Sequence, residues 1–180
     1  MSAIEQITTP RGVFNWVTIS GAGKTDLNGR NIYTVDLVLT PEEAEPLLER
    51  INTFWDENKP KGAKAPKSTG AKELEDGNIR FQFKTATTYP ASGDPKVIEV
   101  YDAKGRRTDL GDKRIGNGTL GRVAGAMAIY DAGVAARGVT LYLDKVQISK
   151  LVEYTGGGAS FGADPDGDFD GGNAFDEDLV

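Results

Sequence analysis

Two short stretches of the chain have residue types and spacing that match known chemical sites. The segment Gly21–Thr25 (GAGKT) resembles the end of a phosphate-binding loop, in which backbone N–H groups and a lysine hold phosphates. The complete pattern requires a glycine where Thr18 stands and a helix after the Lys-Thr pair, but a strand-like pattern follows here. We therefore expect a glycine-rich hairpin loop. A nucleotide hydrolase is an alternative that rests on this stretch alone.

The second stretch is acidic and has the spacing of a calcium-binding loop. It comprises Asp166, Asp168, Asp170, Gly171 and Glu177. Such a loop needs a helix on each side, yet glycines precede it and only three residues follow Glu177, so no structural metal is expected. Since the chain has no cysteine and no histidine, disulfides, Cys/His zinc sites and histidine-based catalysis are excluded. We expect no catalytic residue and no cofactor.

Aromatic residues at alternate positions of two predicted strands offer a different chemistry, the stacking of nucleic-acid bases. On the first strand, Phe14 and Trp16 share one face, and three aliphatic residues occupy the other: Val13, Val17 and Ile19. If the aliphatic face is the core, Phe14 and Trp16 face outward, where each stacked base contributes about 1–3 kcal/mol. Burial of this pair in the core is an equal alternative. Phe81 and Phe83, which share a face with an isoleucine, are predicted core residues.

Basic residues supply the second component of such a surface, because they neutralise phosphates. The segment 59–72 contains five lysines, two prolines and two glycines and no acid, so we expect a flexible basic loop. A second basic loop spans 104–114, and Arg80 and Lys84 lie on the strand face opposite Phe81. The simpler interpretation of the two basic loops is that their side chains are exposed to solvent and bind no ligand. Together with Phe14 and Trp16, the candidate DNA-binding residues are Lys59, Lys61, Lys64, Lys67, Arg80, Lys84, Arg106, Arg107 and Arg114.

The last 25 residues, 156–180, differ from the rest of the chain. They contain seven acids, three phenylalanines and no Lys or Arg, a composition typical of a disordered tail. Because 7 of the 27 acids lie there, residues 1–155 carry 20 acids against 21 basic residues, a net charge of +1. The overall charge of −6 is therefore misleading for the folded part. We predict one domain over 1–155 and an acidic tail that binds a basic partner or mimics nucleic acid.

The predicted elements place these residues on a small β-structure. Strands are predicted over 13–20, 31–39, 78–88, 96–101, 119–130 and 138–154, with a bulge near Asp144 and Lys145 where the apolar phase shifts. One early helix is predicted after Thr40, with Pro41 and Glu43 completing a capping box. Pro46 is an alternative start for its regular part. The fold class is mostly β, and we favour an OB-fold-like antiparallel Greek-key barrel.

The chain resembles bacteriophage single-stranded DNA-binding proteins of the gene-2.5 type. The resemblance is most specific over Ile115–Thr119, Arg122–Gly125 and Gly138–Ile148, which are similar in order and spacing to the last strands of that family. It implies an OB-fold that coats single-stranded DNA during phage replication, recombination and repair. It also implies a tail that competes with DNA for the groove and recruits replication proteins. The recruiting residues would be Phe175, Asp176, Glu177 and Asp178. Family tails commonly end on an aromatic residue, whereas this one ends Leu179-Val180.

The expected partners are single-stranded DNA and, through the tail, phage DNA polymerase and helicase/primase, with a homodimer left open. No apolar run approaches the ~20 residues of a membrane span, and no signal peptide is recognised. We expect no membrane partner and a location in the cytoplasm of an infected bacterial host. The alternative is an acidic interaction protein or DNA mimic without affinity for nucleic acid, which the near-neutral body permits.

Overall fold

The computed structural model describes residues 3–111, 113–154 and 165–169. The elements within these ranges are β1 (Ile4–Thr8), β2 (Gly12–Thr18), β3 (Lys24–Thr25), β4 (Asn31–Leu39), α1 (Pro41–Asn58), β5 (Ala71–Glu73), β6 (Ile79–Ala86), β7 (Glu99–Tyr101), β8 (Arg107–Thr108), β9 (Thr119–Asp131) and β10 (Arg137–Lys150).

Five of these strands close a barrel. Around it, β2 pairs with β4, β4 with β6, β6 with β10, β10 with β9, and β9 again with β2. Only the β6–β10 pair among these five is parallel. A small five-stranded barrel of this kind is the OB architecture, and the predicted fold class is confirmed.

Alternate residues of the barrel strands fill its interior. Phe81 and Phe83 of β6 are fully buried, as predicted, and they meet Leu37 of β4 and Leu141 of β10 in one apolar cluster. The last strand contains the predicted bulge, because the β9–β10 register shifts between Leu143 and Lys145. This shift explains why the apolar phase of that strand changes in the sequence.

Helix α1 begins at the predicted capping box. The Thr40 hydroxyl accepts a hydrogen bond from the Glu43 backbone N–H, and the Glu43 carboxylate accepts one from the Thr40 N–H. Pro46 lies inside the helix, which runs through it without interruption. The predicted apolar stripe faces the barrel, with Leu47, Ile51, Phe54 and Trp55 buried and Leu48 half-buried. Burial of this stripe provides most of the stability of such a helix.

Strand direction decides which connections share an end of the barrel. Because β2, β4 and β6 alternate in direction, the β2–β4 and β6–β9 connections leave from one end. The β4–β6 connection, which contains α1, leaves from the other end. The connecting segments that carry β3, β7 and β8 are therefore brought together opposite the helix.

The basic segment 59–72 belongs to the helix end of the barrel. The Lys64 carbonyl accepts a hydrogen bond from the indole N–H of Trp55 (2.9 Å), and the Lys67 N–H donates one to the Arg137 carbonyl (2.8 Å). The Val139 N–H donates another to the Ser68 carbonyl at 2.9 Å. The segment thus follows the barrel surface up to β5. The flexibility predicted for it stays a prediction.

Candidate nucleic-acid interface

A groove of about 1300 Å³ occupies the end of the barrel opposite α1. Three parts of the chain form its walls: Trp16–Lys24 at the end of β2 and beyond it, Lys96–Val100 around β7, and 107–111 with 113–117 from β8 towards β9. Tyr33 of β4 and Tyr154 beyond β10 complete the lining. Residues far apart in the sequence meet here because the two connections share this end.

The described residues that line the groove carry a net positive charge. Five basic side chains face two acidic ones: Lys24, Lys96, Arg107, Lys113 and Arg114 against Glu99 and Asp109. The Arg107 guanidinium lies 3.9 Å from the Glu99 carboxylate, and both side chains are exposed enough for solvent to weaken the pair. The Lys96 ammonium donates a hydrogen bond of 2.8 Å to the Thr85 hydroxyl and lies 5.3 Å from the centre of the Tyr89 ring. A groove with this balance attracts a polyanion.

Trp16 projects from the wall of the groove in an unusual conformation. Its side chain is 66% exposed, and its φ of +52° is the one positive value of a non-glycine residue in the described ranges. The β2–β4 register shifts between Asn15 and Thr18, so Trp16 lies in a bulge. For a bulky side chain the left-handed region costs about 1–3 kcal/mol and persists only where the surroundings enforce it.

A long-range hydrogen bond accompanies this conformation. The backbone N–H of Trp16 donates to the side-chain Oδ1 of Asn117 at 2.8 Å, across 101 residues of sequence. Next to it, the Gly118 N–H donates to the Phe14 carbonyl at 3.0 Å, and Phe14 pairs with Thr119 of β9. The bulge therefore begins where β2 leaves β9, and the Asn117 side chain replaces the lost ladder partner.

The prediction that Phe14 faces outward beside Trp16 is wrong. Phe14 is fully buried, and its ring lies against Gly121 of β9, where an added Cβ would come within 2.8 Å of it. The aliphatic residues on the other face of β2 are only partly buried, because the barrel interior takes Phe14 instead. A fully buried ring cannot stack on a base, so Trp16 is the aromatic residue of this strand that a ligand reaches.

The predicted basic residues divide between the two ends and the side of the barrel. Arg107 and Arg114 line the groove. Arg106 lies in the β7–β8 turn, where its guanidinium pairs with Asp102 at 3.1 Å. Lys59, Lys61, Lys64 and Lys67 belong to the segment at the helix end. Arg80 and Lys84 lie on β6, whose alternate residues Phe81 and Phe83 point into the core.

Arg80 has a local role that its sequence position did not suggest. Its positive charge acts on the buried carboxylate of Asp36 on the neighbouring strand. Burial raises the pKa of Asp36, and the charge of Arg80 opposes that rise. Arg80 therefore partly compensates a buried acid on the side of the barrel.

Sequence reasoning missed several residues of the groove. Lys24, Lys96, Asn117 and Tyr154 all line it, and so does Lys113, which lies in the predicted basic loop 104–114 but was not predicted as a site residue. The signal that would have found them is topological, since their segments all lie in connections that a five-stranded barrel brings to one end. In the sequence, Lys24 stands out only as part of the Gly21–Thr25 pattern.

The Gly21–Thr25 stretch forms the predicted hairpin loop. Lys24 and Thr25 make β3, which pairs with Asn31 and Ile32 of β4, so a strand follows and not the helix of a phosphate-binding loop. Gly23 has φ +77°, and a Cβ there would lie 2.5 Å from the Ile32 carbonyl oxygen. The glycine thus permits a close turn of the chain at the groove wall.

The end of β10 leads to the groove. Residues 151–154 cross the segment before β9: the Gly116 N–H donates to the Val152 carbonyl at 2.6 Å and the Tyr154 N–H to the Arg114 carbonyl at 2.9 Å. This crossing explains why the predicted last strand ends at Lys150 instead of residue 154. The predicted tail residues Phe175, Asp176, Glu177 and Asp178 lie outside the described residues, as does most of the calcium-like stretch.

The described ranges contain neither a metal-binding cluster nor a membrane-spanning helix. Within residues 3–111, 113–154 and 165–169, no three acidic side chains come together in a way that would hold a metal ion. None of the helices in that part of the chain combines the length and apolar character that a membrane span requires.

Solved structures with a similar fold include single-stranded DNA-binding proteins of bacteriophages. Similarity to gp2.5 of bacteriophage T7 has a TM-score of 0.65 at 21% identity and covers 87% of this chain and 92% of that one. Similarity to the bacteriophage Enc34 single-stranded DNA-binding protein in complex with ssDNA has a TM-score of 0.63 at 10% identity, covering 84% and 89%. No family profile and no curated protein matches the sequence. The chain therefore has the OB-like fold of these phage proteins.

Proposed function

We propose that this protein binds single-stranded DNA without sequence preference, in the groove opposite α1. The observation that carries the proposal is the exposed indole of Trp16 at the wall of a groove whose described lining has five basic and two acidic side chains. Two phage proteins of the same fold support it, one of them solved in complex with ssDNA.

The mechanism combines phosphate neutralisation with base stacking. Lys24, Lys96, Lys113 and Arg114 neutralise phosphates along the groove, and Trp16 stacks on a base. Stacking tolerates any base because every base has a π-face, so the protein needs no hydrogen-bond readout of sequence. A duplex hides those faces, which gives the preference for single strands. This chemistry involves no bond breaking, and we expect no enzymatic activity.

The acidic tail would compete with DNA for the same groove. The described body ends at Tyr154, which lines the groove, and the acidic segment 156–180 begins two residues later. A tethered anionic segment that starts at the rim acts at an effective concentration of the order of millimolar. DNA would displace the tail and expose Phe175, Asp176, Glu177 and Asp178 to phage DNA polymerase and helicase/primase. DNA binding is thereby coupled to recruitment.

DNA binding by this protein would serve phage DNA replication, recombination and repair in the cytoplasm of an infected bacterial host. The proposal also includes a homodimer. Recruitment is tested by pull-down of the phage replication proteins with full-length protein and the 1–155 truncation. Loss of capture on truncation is the expected result.

The first experiment is a titration of full-length protein and the truncation with oligo-dT, followed by tryptophan fluorescence at several salt concentrations. Only Trp16 of the two tryptophans is exposed, since Trp55 is 3% exposed, so quenching reports on the groove. We expect quenching, a salt slope of about −0.7 per phosphate neutralised, and tighter binding by the truncation. Weaker binding by the truncation would contradict the competing tail. Absence of binding by both proteins would overturn the DNA-binding function and favour an acidic interaction protein.

A further inference from the structure

We propose that Asn117 is a positioning residue for base stacking: its side-chain amide holds Trp16 in the orientation that presents the indole to a base. This inference rests on the proposed DNA-binding function and deepens it. Asn117 is itself exposed at the groove, and its Oδ1 accepts the Trp16 backbone N–H at 2.8 Å.

The backbone of Trp16 needs such a partner. Within β2 the alternation of a regular strand would place Trp16 on the same face as Phe14, which is the filled interior of the barrel. The register shift after Asn15 and the φ of +52° turn the indole outward instead. An L-residue rarely keeps this conformation by its own preference, so a contact from outside the strand has to select it.

The segment that carries Asn117 is fixed on both sides. Before Asn117, the Gly116 N–H donates to the Val152 carbonyl at 2.6 Å, and after it the Gly118 N–H donates to the Phe14 carbonyl at 3.0 Å. In addition, the single proton of the buried Thr119 hydroxyl lies between the carbonyl oxygens of Gly116 (2.9 Å from Oγ1) and Val152 (3.1 Å). Asn117 therefore stands between anchored neighbours, and its amide has a fixed place from which to hold Trp16.

Loss of the Asn117 hydrogen bond is expected to change DNA affinity through the conformation of Trp16. If stacking requires the outward state of Trp16, the apparent dissociation constant equals the intrinsic one divided by the population of that state. Loss of one hydrogen bond that selects the state lowers the equilibrium constant for that state by about threefold to tenfold, and the population of the state falls by at most the same factor. The loss falls on base stacking alone, because the basic side chains of the groove keep their places.

The test compares two ligands of equal length, oligo-dT and an abasic oligonucleotide, with the full-length protein. Both ligands present the same phosphates, but only oligo-dT presents bases. For Asn117→Ala we expect affinity for oligo-dT to fall, by up to about tenfold, with the salt slope and the affinity for the abasic ligand unchanged. An equal loss on both ligands would overturn the proposal, because it would mean a general effect on the groove.

A double-mutant cycle with Trp16→Ala separates positioning from an independent contact. In the Trp16→Ala background, Asn117→Ala should cause no further loss on oligo-dT. Additive losses would contradict the proposal, since they would show that Asn117 acts on DNA by itself.

Asn117→Asp is the conservative variant, and it also covers the case in which Asn117→Ala is poorly folded. It keeps the acceptor oxygen and adds a negative charge. Fluorescence quenching at saturation should match wild type, and affinity should fall equally for both ligands. Selective loss on oligo-dT in this variant would overturn the proposal. If wild-type protein binds neither ligand, the DNA-binding function itself fails, which distinguishes that outcome from a failure of Asn117.

Discussion

The phenol of Tyr33 donates a hydrogen bond of 2.8 Å to the backbone carbonyl of Gly21. Tyr33 is a buried residue of β4, and Gly21 belongs to the glycine-rich connection that forms one wall of the groove. The bond ties this wall to the barrel, so the position of the loop and the shape of the groove depend on one hydroxyl group.

Tyr33→Phe should therefore loosen the wall without disturbing the core. Removal of the hydroxyl leaves the Gly21 carbonyl without this donor, and we expect the free energy of unfolding to fall by about 0.5–1.5 kcal/mol. Urea unfolding measures this, and oligo-dT affinity should fall with it. Tyr142→Phe is the matched control, because Tyr142 is a partly exposed residue of β10 away from this wall. Equal effects of the two substitutions would contradict the specific role of the Tyr33 hydroxyl.

Position 16 should prefer glycine to alanine. In an ordinary strand glycine is the more destabilising of the two, but at φ +52° alanine is strained and glycine is not. We expect Trp16→Gly to be more stable than Trp16→Ala by about 1 kcal/mol. The comparison requires only urea unfolding curves of two variants, both of which lack the indole. Greater stability of the alanine variant would show that residue 16 adopts an extended backbone in solution.

The sequence contains enough information to predict the barrel but not the bulge at Trp16. The Asp144–Lys145 bulge was predictable because the apolar phase changes across it. The bulge in β2 leaves no such mark, since β-formers continue through it without a glycine. Phe14 and Trp16 therefore shared a face in the prediction and point to opposite sides in the structure. The deciding contacts, Gly121 under the Phe14 ring and Asn117 on the Trp16 N–H, come from more than 100 residues away in the sequence.

The location of the basic groove was only half predictable for a related reason. Runs of lysine mark exposed loops, and they indicate neither which end of a barrel a loop occupies nor what it faces. The richest run, 59–72, lies at the helix end, whereas the groove collects single basic residues such as Lys24 and Lys96 from separate connections. Only the strand order shows that these connections meet.

Removal of one positive charge should change the salt dependence of oligo-dT binding at the groove end of the barrel but not at the helix end. Lys113→Gln and Arg114→Gln remove cations that line the groove, so each should reduce the steepness of the salt dependence of oligo-dT binding by about 0.7. Lys59→Gln and Lys61→Gln are the matched controls at the helix end, and we expect their salt slopes to stay at the wild-type value. Salt-dependent titrations of the four variants measure this. A reduced slope in the controls would place the DNA path along the basic segment 59–72 as well.

The capping box of α1 should make part of the stability depend on pH. The Glu43 carboxylate accepts hydrogen bonds from the Thr40 backbone N–H (3.0 Å) and hydroxyl (2.9 Å), which lowers its pKa below the ordinary 4.5. A lowered acid pKa gives stability that is present above the unfolded pKa and is lost as pH falls through the folded one. Glu43→Gln should therefore be less stable than wild type at pH 7, with the difference closing in acid. Glu45→Gln, also on α1, is the control, and a pH-independent gap for Glu43→Gln would contradict the capping interaction.

The buried acid Asp36 should show the opposite dependence. Burial raises its pKa above the ordinary 3.8, because desolvation of the charged form outweighs the lowering by Arg80 and Gln82. Between the two pKa values the folded state binds a proton that the unfolded state does not, so folding gains stability as pH falls through that window. Asp36→Asn has nearly the same shape and no charge to desolvate. The stability of wild type relative to Asp36→Asn should thus rise as pH falls from 7 towards 4, measured by urea unfolding at each pH. If the stability of wild type relative to Asp36→Asn fell as pH falls, Arg80 would stabilise the carboxylate by more than burial destabilises it.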